Sequence, residues 1–199
     1  MAEPLDEQAL NAIFLEAHTH GAWLPRPVDD ALLRQIYEIA RLGPTSANTN
    51  PMRVTFVKSP AAKARLKPAL SAGNVEKTMA APVTAIIASD ERFHELMPKL
   101  WPHNPDMAKN FTGPGKEEFV HTHAFRNGTL GGAYLIIAAR ALGLDAGPMS
   151  GFDNAKVDAE FFPDGRWKSN FLLNLGYGDA SKLQPRNPRL SFEDACRIV

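Results

Sequence analysis

The sequence predicts an α+β domain, a small sheet packed among helices. Three observations carry this expectation. Strong strand-like runs are few: RVTFVK at 53–58, PVTAIIAS at 82–89 and NFLLNLGYG at 170–178. Stretches with apolar residues spaced by three and four stand before, between and after them. Three or four strands also fall short of the roughly five or six in a doubly wound nucleotide-binding sheet, so an α+β arrangement is favoured.

Residues 5–17 place Leu10, Ile13, Phe14 and Ala17 on one helical face, and a loop, HTHGAWLPRPV, follows at 18–28. Asp29 is an N-cap candidate, with Val28 and Leu33 spaced as a hydrophobic staple. Leu32, Leu33, Ile36, Ile39 and Ala40 line one side of that helix, which Gly43-Pro44 ends. The next stretch, GPTSANTNPMRV at 43–54, holds more small hydrogen-bonding side chains than a helix-to-strand connector needs. Beyond the 53–58 strand, Ser59 caps a short helix with a first-turn proline that runs to about Leu70. A helical piece at 74–80 precedes the branched, buried strand at 82–89, and a helix is expected near 90–99.

WPHNPDMAKNFTGPGK at 101–116 is long and irregular, the pattern of a lid or active-site loop. A long helix follows at about 117–142. Its centre, with Gly131, Gly132, Ala133, Ala138 and Ala139, lets another backbone approach, as in a central or subunit-interface helix. DAGPMSGFD at 145–153 reads as a connection into a short helix capped by Asp153. The tail, 179–199, reads as an arm lying on another surface, such as a second subunit. With no repeats, low-complexity tracts or linkers, residues 1–199 read as a single domain.

Composition narrows the function. Hydrophobic residues make up 44% and charged residues 22%, as in ordinary globular proteins. The 22 basic and 22 acidic side chains balance, which argues against nucleic acid as a partner. One cysteine, Cys196, permits no intrachain disulfide and rules out paired-cysteine metal or redox sites. MAEPLDEQAL lacks a signal-peptide pattern, and Arg140 interrupts the longest apolar run, AYLIIAARALGL. The expectation is a cytoplasmic protein without a membrane partner.

Several motifs are weak. Gly176 and Gly178 follow a strand, but Ser181 stands where a dinucleotide fingerprint needs its third glycine. His18/His20 and His121/His123 share i,i+2 spacing, which aligns imidazoles on a strand but splays them on a helix; no metal site is expected. No Gly-x-Ser-x-Gly is present, and Cys196 lacks a nearby helper. GPTSANTNPMRV, SAGNVEK at 71–77, GPMSGFD at 147–153 and PRNPRL at 185–190 say more together. They offer side-chain amides, N–H groups beside glycines, a lysine and two arginines. Such a set suits a flat heteroaromatic ring with a phosphate at one end.

The four segments resemble the nitroreductase-like family of FMN-dependent oxidoreductases. PTSANTNPMRV is similar to that family's Pro-Ser-x-x-Asn-x-Gln-Pro-Trp run, and the likeness spans essentially the whole chain. HTHGAW, SAGNVEKTMAAPVTAI, ALGLDAGPMSGFD, KSNFLLNLGYGD and PRLSFEDA look like the malonic semialdehyde reductase (3-hydroxypropionate dehydrogenase) branch of pyrimidine degradation. The resemblance implies a nitroreductase-like fold: a central, mostly antiparallel sheet flanked by helices. It also implies an intertwined homodimer with an extended C-terminal arm and FMN at the interface.

Carried over by position, Asn74 and Lys77 meet the flavin's pyrimidine edge, and Pro148, Met149, Ser150 and Gly151 run beside the ring. Arg189 binds the phosphate, with Thr19, His18 and His20 assisting. Pro44, Thr45, Ser46 and Asn48 reach the flavin from the other subunit, and Asn127 matches a polar position near it. The implied chemistry is ping-pong hydride transfer: NADPH or NADH reduces the flavin, which then reduces malonic semialdehyde to 3-hydroxypropionate. A broad nitroarene or quinone reductase is the rival enzyme, and a non-catalytic flavin-binding protein the rival from another class. Three positions depart from the family pattern. No arginine or lysine stands between 17 and 25, Ser150 replaces an acidic residue common among relatives, and Met52 replaces an aromatic. The first predicts weakened phosphate binding.

Overall fold

The computed structural model describes residues 3–199. Its centre is a four-stranded antiparallel sheet: β1 (Met52–Val57), β2 (Val83–Asp90), β3 (Asp145–Met149) and β4 (Trp167–Gly176). They stand in the order β1-β2-β4-β3, with Met52 opposite Ser89, Ile86 opposite Leu172 and Ala146 opposite Leu175. The α+β expectation and the antiparallel sheet therefore both hold.

Side chains alternate across the sheet, and both faces are covered. Ala85, Ile87, Leu173 and Leu175 join one core with α2 (Asp30–Ala40) and α6 (Glu117–Ala141). Ile86, Ala88 and Leu172 join the opposite core with α3 (Pro60–Leu66) and α7 (Asn154–Phe161). Double coverage explains why PVTAIIAS shows no polar alternation: every residue of β2 is buried. Val28 and Leu33, the expected staple pair, both enter the first core, although Asp29 makes no side-chain cap bond. Ser59 Oγ and Asp153 Oδ1 do cap, accepting from Ala62 N and Lys156 N.

Three local expectations need correction. DAGPM is a strand, β3. Its Gly147 and Pro148 hide it in the sequence, but β3 is an edge strand, where proline's missing N–H is tolerated. The first helix is short: α1 (Glu7–Leu10) continues as a π-helix, Asn11–Leu15, which buries Ile13 and leaves Phe14 exposed. The helix expected near 90–99 is displaced, because β2 runs on to Asp90. Arg53 and Arg166 pair with that carboxylate at 2.6 and 3.0 Å, and only the short α5 (Met97–Leu100) follows a 3₁₀ turn. Between α3 and β2 stands α4 (Ala72–Ala80). The 101–116 segment contains a 3₁₀ stretch, Pro105–Phe111, nailed down by Phe111 against Phe93 and His123. No helix among the described residues is long and apolar enough to cross a membrane.

Candidate functional site

The 18–23 segment lies along β3. Thr19 bridges Ala146 in parallel, and His20 N donates to Ala146 O. Trp23 Nε1 donates to Lys77 O at 3.0 Å, tying this segment to the last turn of α4. Gly21 packs on the Lys77 stem: a Cβ there would sit 3.9 Å from Cδ. On the far side, Asn74 Nδ2 donates to Gly151 O at 2.7 Å. A Cβ on Gly151 would come 2.5 Å from that nitrogen, so a larger residue there would push the Asn74 amide aside. The fold thus sets His18, Thr19, His20, Asn74, Lys77, Pro148, Met149, Ser150 and Gly151 along β3 and the turn that follows it. Among the described residues, the N–H groups of Ser150 and Gly151 donate to no protein acceptor.

One end of this wall opens into a cavity of about 580 Å³ between the 17–22 segment and the tail. His18, Arg140, Lys182, Arg186 and Arg189 face it, against the carboxylate of Asp179. Arg186 Nη2 donates to Leu15 O and Ala17 O at 2.7 and 2.9 Å, clamping the tail to the end of the first helix. Arg140 Nη1 donates to Ile13 O; burial lowers its pKa, opposed by Asp145 and reinforced by Arg186. His20 is 6% exposed, with Nε2 3.4 Å from Asp145 Oδ1 and a buried Nδ1 that has no partner. The excess positive charge fits a bound phosphate ester; the orphaned His20 Nδ1 packs instead on Gly178, where a Cβ would meet it at 1.9 Å. Arg140 and Lys182 escaped the sequence reading. Arg140 stood out only as a break in an apolar run, and its place beside the cavity is set by α6 packing.

Pro44, Thr45, Ser46 and Asn48 stand apart. No hydrogen bond among the described residues joins them to the Asn74–Gly151 wall. They are held by other elements: Ser46 N donates to Asn127 Oδ1, Asn48 Nδ2 to Leu100 O and Tyr134 Oη to Pro44 O. Thr45 Oγ1 accepts from Asn50 N. The backbone is strained, with Ala47, Asn48 and Asn50 at φ of 50°, 49° and 42°. Asn127 is 1% exposed, and its Nδ2 donates to His123 O, so its whole amide is engaged inside the protomer. Thr49 Oγ1 donates to Ser46 O and lies 3.0 Å from His123 Nε2. The Thr49 proton being committed, the imidazole supplies the N–H of that contact. Burial, then the Arg126 charge, keeps His123 below the usual histidine pKa, hence neutral near pH 7.

No cluster of three or more metal-ligating side chains occurs among the described residues. Of the cations considered for an acceptor carboxylate, Arg53 is committed to Asp90 and Lys109 pairs with Asp106 at 2.8 Å. Arg126 has no ion-pair partner among the described residues.

Known proteins place this architecture. The chain belongs to the nitroreductase family, whose model matches residues 17–177. A protein of Burkholderia lata named "Putative NADH dehydrogenase/NAD(P)H nitroreductase" is 59% identical over 194 residues, covering 98% of each chain. One of the same name from Stenotrophomonas maltophilia is 58% identical over the full length of both. Among solved structures, a "putative NAD(P)H:FMN oxidoreductase" of Staphylococcus epidermidis superposes with a TM-score of 0.83 at 17% identity, over 100% of this chain and 98% of its own. A "putative nitroreductase in complex with FMN" of Exiguobacterium sibiricum gives 0.79 at 17% identity, over 100% and 99%. The nitroreductase-like fold read from the sequence is the fold observed.

Proposed function

We propose that this protein is an FMN-dependent NAD(P)H oxidoreductase working as a homodimer, with malonic semialdehyde as its preferred acceptor. The observation that carries the cofactor reading is the wall itself: a cation-rich cavity running into a surface of Asn74, Lys77 and unpaired N–H groups at Ser150 and Gly151. The Exiguobacterium neighbour's FMN and the NAD(P)H of the relatives' names support the same reading.

When bound, FMN supplies hydride transfer between NAD(P)H and an acceptor. The chain's own residues bind and orient. Arg189 and Arg186 would hold phosphate charge, with His18 beside them at the cavity. Lys77, half-buried near the end of α4, would offer the bound ring a cation, and Ser150 and Gly151 would offer it backbone N–H groups. Pro44, Thr45, Ser46 and Asn48 complete the partner's site rather than their own, which accounts for a strained loop bonded only to α6 and α5.

The homodimer reading rests on two unpartnered features. β1 is an edge strand, and the tail beyond Leu183 is exposed throughout, including Leu190, Phe192 and Ile198. An arm lying along a second subunit covers both. The exposed parts of 101–116 hinge on Phe111 and shape the acceptor side as a lid.

The acceptor assignment rests on the close likeness of several segments to the semialdehyde-reducing branch, with Arg126 free to meet a carboxylate. A broad nitroarene or quinone reductase is the second reading, favoured by the relatives' names. Two measurements decide. Flavin absorbance that survives desalting after FMN addition supports the cofactor reading, and colourless protein defeats it. Steady-state rates with malonic semialdehyde, a nitrofuran and a quinone then separate the acceptors. An Arg126→Gln variant should raise KM for the semialdehyde alone, whereas equal effects on all three would remove Arg126 from the acceptor site.

A further inference from the structure

Lys63, on α3, is 3% exposed and has no carboxylate partner among the described residues. Its Nζ donates to Thr78 O at 2.7 Å and to Thr84 Oγ1 at 2.6 Å. A buried ammonium without a counter-ion is costly, and this one lies under the wall just described.

The bonds beyond it all run one way. An ammonium has donors and no acceptor, so Thr84 Oγ1 must accept from it. The Thr84 hydroxyl then donates to Asn174 Oδ1 at 2.7 Å. That fixes the Asn174 amide, whose Nδ2 reaches Lys77 O at 3.3 Å and Thr78 Oγ1 at 3.5 Å. Thr78 Oγ1 in turn donates to Met149 Sδ at 3.4 Å. Each donor points away from the cation and toward the residues that face the site. Two branches end at the backbone carrying Lys77, and one ends on Met149. Lys63 also places a positive charge at the C-terminal carbonyls of α4, where a helix favours a cation.

We propose that Lys63 is a positioning residue for FMN: its buried ammonium sets the direction of the Thr84–Asn174–Thr78 relay and lends positive charge to the Lys77–Met149 edge from beneath. This rests on the reading of that edge as the cofactor site. The charged groups on the neighbouring elements are Arg65 and Lys67 on its own helix and its 3₁₀ extension, Glu76 and Lys77 on α4, Lys58 just past β1, and Lys156, Asp158 and Glu160 on α7. Lys168 and Asp90 stand at the far ends of β4 and β2. None bonds the Lys63 ammonium, and burial alone pulls its pKa down to about 8. The cation is therefore present at neutral pH and lost in mild alkali.

The test is FMN affinity of the flavin-stripped full chain, read by quenching of FMN fluorescence from pH 6.5 to 9.5. In the wild type, affinity should be full well below pH 8 and fall roughly tenfold as the ammonium is lost. Lys63→Met should bind roughly tenfold more weakly at pH 7, with no step near pH 8. Lys63→Arg, which stays charged, should bind like wild type at pH 7 and also lack the step. Independently of any variant, NMR titration of ¹³C-labelled lysine should show one side chain titrating near pH 8, moving upward when FMN is added. A wild type that binds FMN with no such step, a step that survives in Lys63→Met, or a lysine titration unmoved by FMN overturns the role of Lys63 alone. A wild type that binds no FMN overturns the cofactor reading and this inference with it.

Discussion

At the residue scale, a few side chains act as clamps whose energetics can be read singly. Asn127 is the clearest. Removing its amide leaves Ser46 N without its acceptor, while His123 O loses only the second of its donors and keeps its helical bond. An unsatisfied buried polar group costs about 1–3 kcal/mol, so Asn127→Ala should lower stability by about 2 kcal/mol in urea unfolding. Its FMN effect should appear only through the loop it holds. Lys63 gives a pH prediction with a definite sign. Its folded pKa of about 8 lies below the 10.5 of an ordinary lysine, so the folded state binds fewer protons between those values. Folding stability therefore rises with pH across that window and is penalised below it. At about 1.4 kcal/mol per unit, the full change is about 3 kcal/mol. Wild type should gain roughly that much on Lys63→Met between pH 7 and 10.5 in paired urea titrations, and a constant difference would count against the buried ammonium. Gly151 and Arg189 came into view through family likeness, and the fold sets them beside Asn74 and at the cationic cavity. Lys63 did not come into view, because a lysine in PAAKARL looks solvated until α4 and β2 close over it.

At the element scale, α6 decides where everything sits. Its glycines are contact points with the sheet. A Cβ on Gly128 would meet Ser89 Oγ at 2.2 Å, on Gly131 Met52 Cβ at 2.8 Å, and on Gly132 Phe171 Cζ at 2.5 Å. The sequence marked this helix as one that something approaches closely; the partners prove to be side chains of β1, β2 and β4. Helix propensity alone would favour Gly→Ala by about 1 kcal/mol. Overpacking costs about 1–3 kcal/mol, and Phe171 is a ring rather than a flexible tip. Gly132→Ala should thus lower the unfolding midpoint, and a raised midpoint would show that the sheet yields. The misread elements have a common cause. β3 contains glycine and proline and is a strand only because β4 pairs with it. β2 outruns its apolar pattern because Arg53 and Arg166, from two distant strand regions, neutralise Asp90. Long-range partners of this kind leave no local periodicity.

At the scale of the whole molecule, the proposed cofactor residues fall in two separate places. The Asn74–Gly151 wall and the cationic cavity lie around β3, while the GPTSAN loop is anchored to α6 and α5. The sequence suggested that division only through family likeness, since spacing cannot tell a residue serving its own site from one serving a partner's. The tail offers the sharpest test. Nothing in Ser191–Val199 is buried, and the arm's bonds to the body run through Arg186. Deleting 191–199 keeps Arg186 and Arg189 while removing Phe192 and Ile198, which are 56% and 88% exposed. If the arm covers a second subunit, burying those two side chains is worth about 1.5–3 kcal/mol each. The truncated chain should then dissociate at protein concentrations where the full chain is dimeric, as read by light scattering. Its own core should survive, with unchanged helix and strand signals. FMN affinity should fall with the dimer and recover at high protein concentration, because Ser46 and Asn48 return only with the partner. A truncated chain that stays dimeric would detach the arm from the interface. One that becomes monomeric yet binds FMN as tightly as before would place the whole site within one protomer.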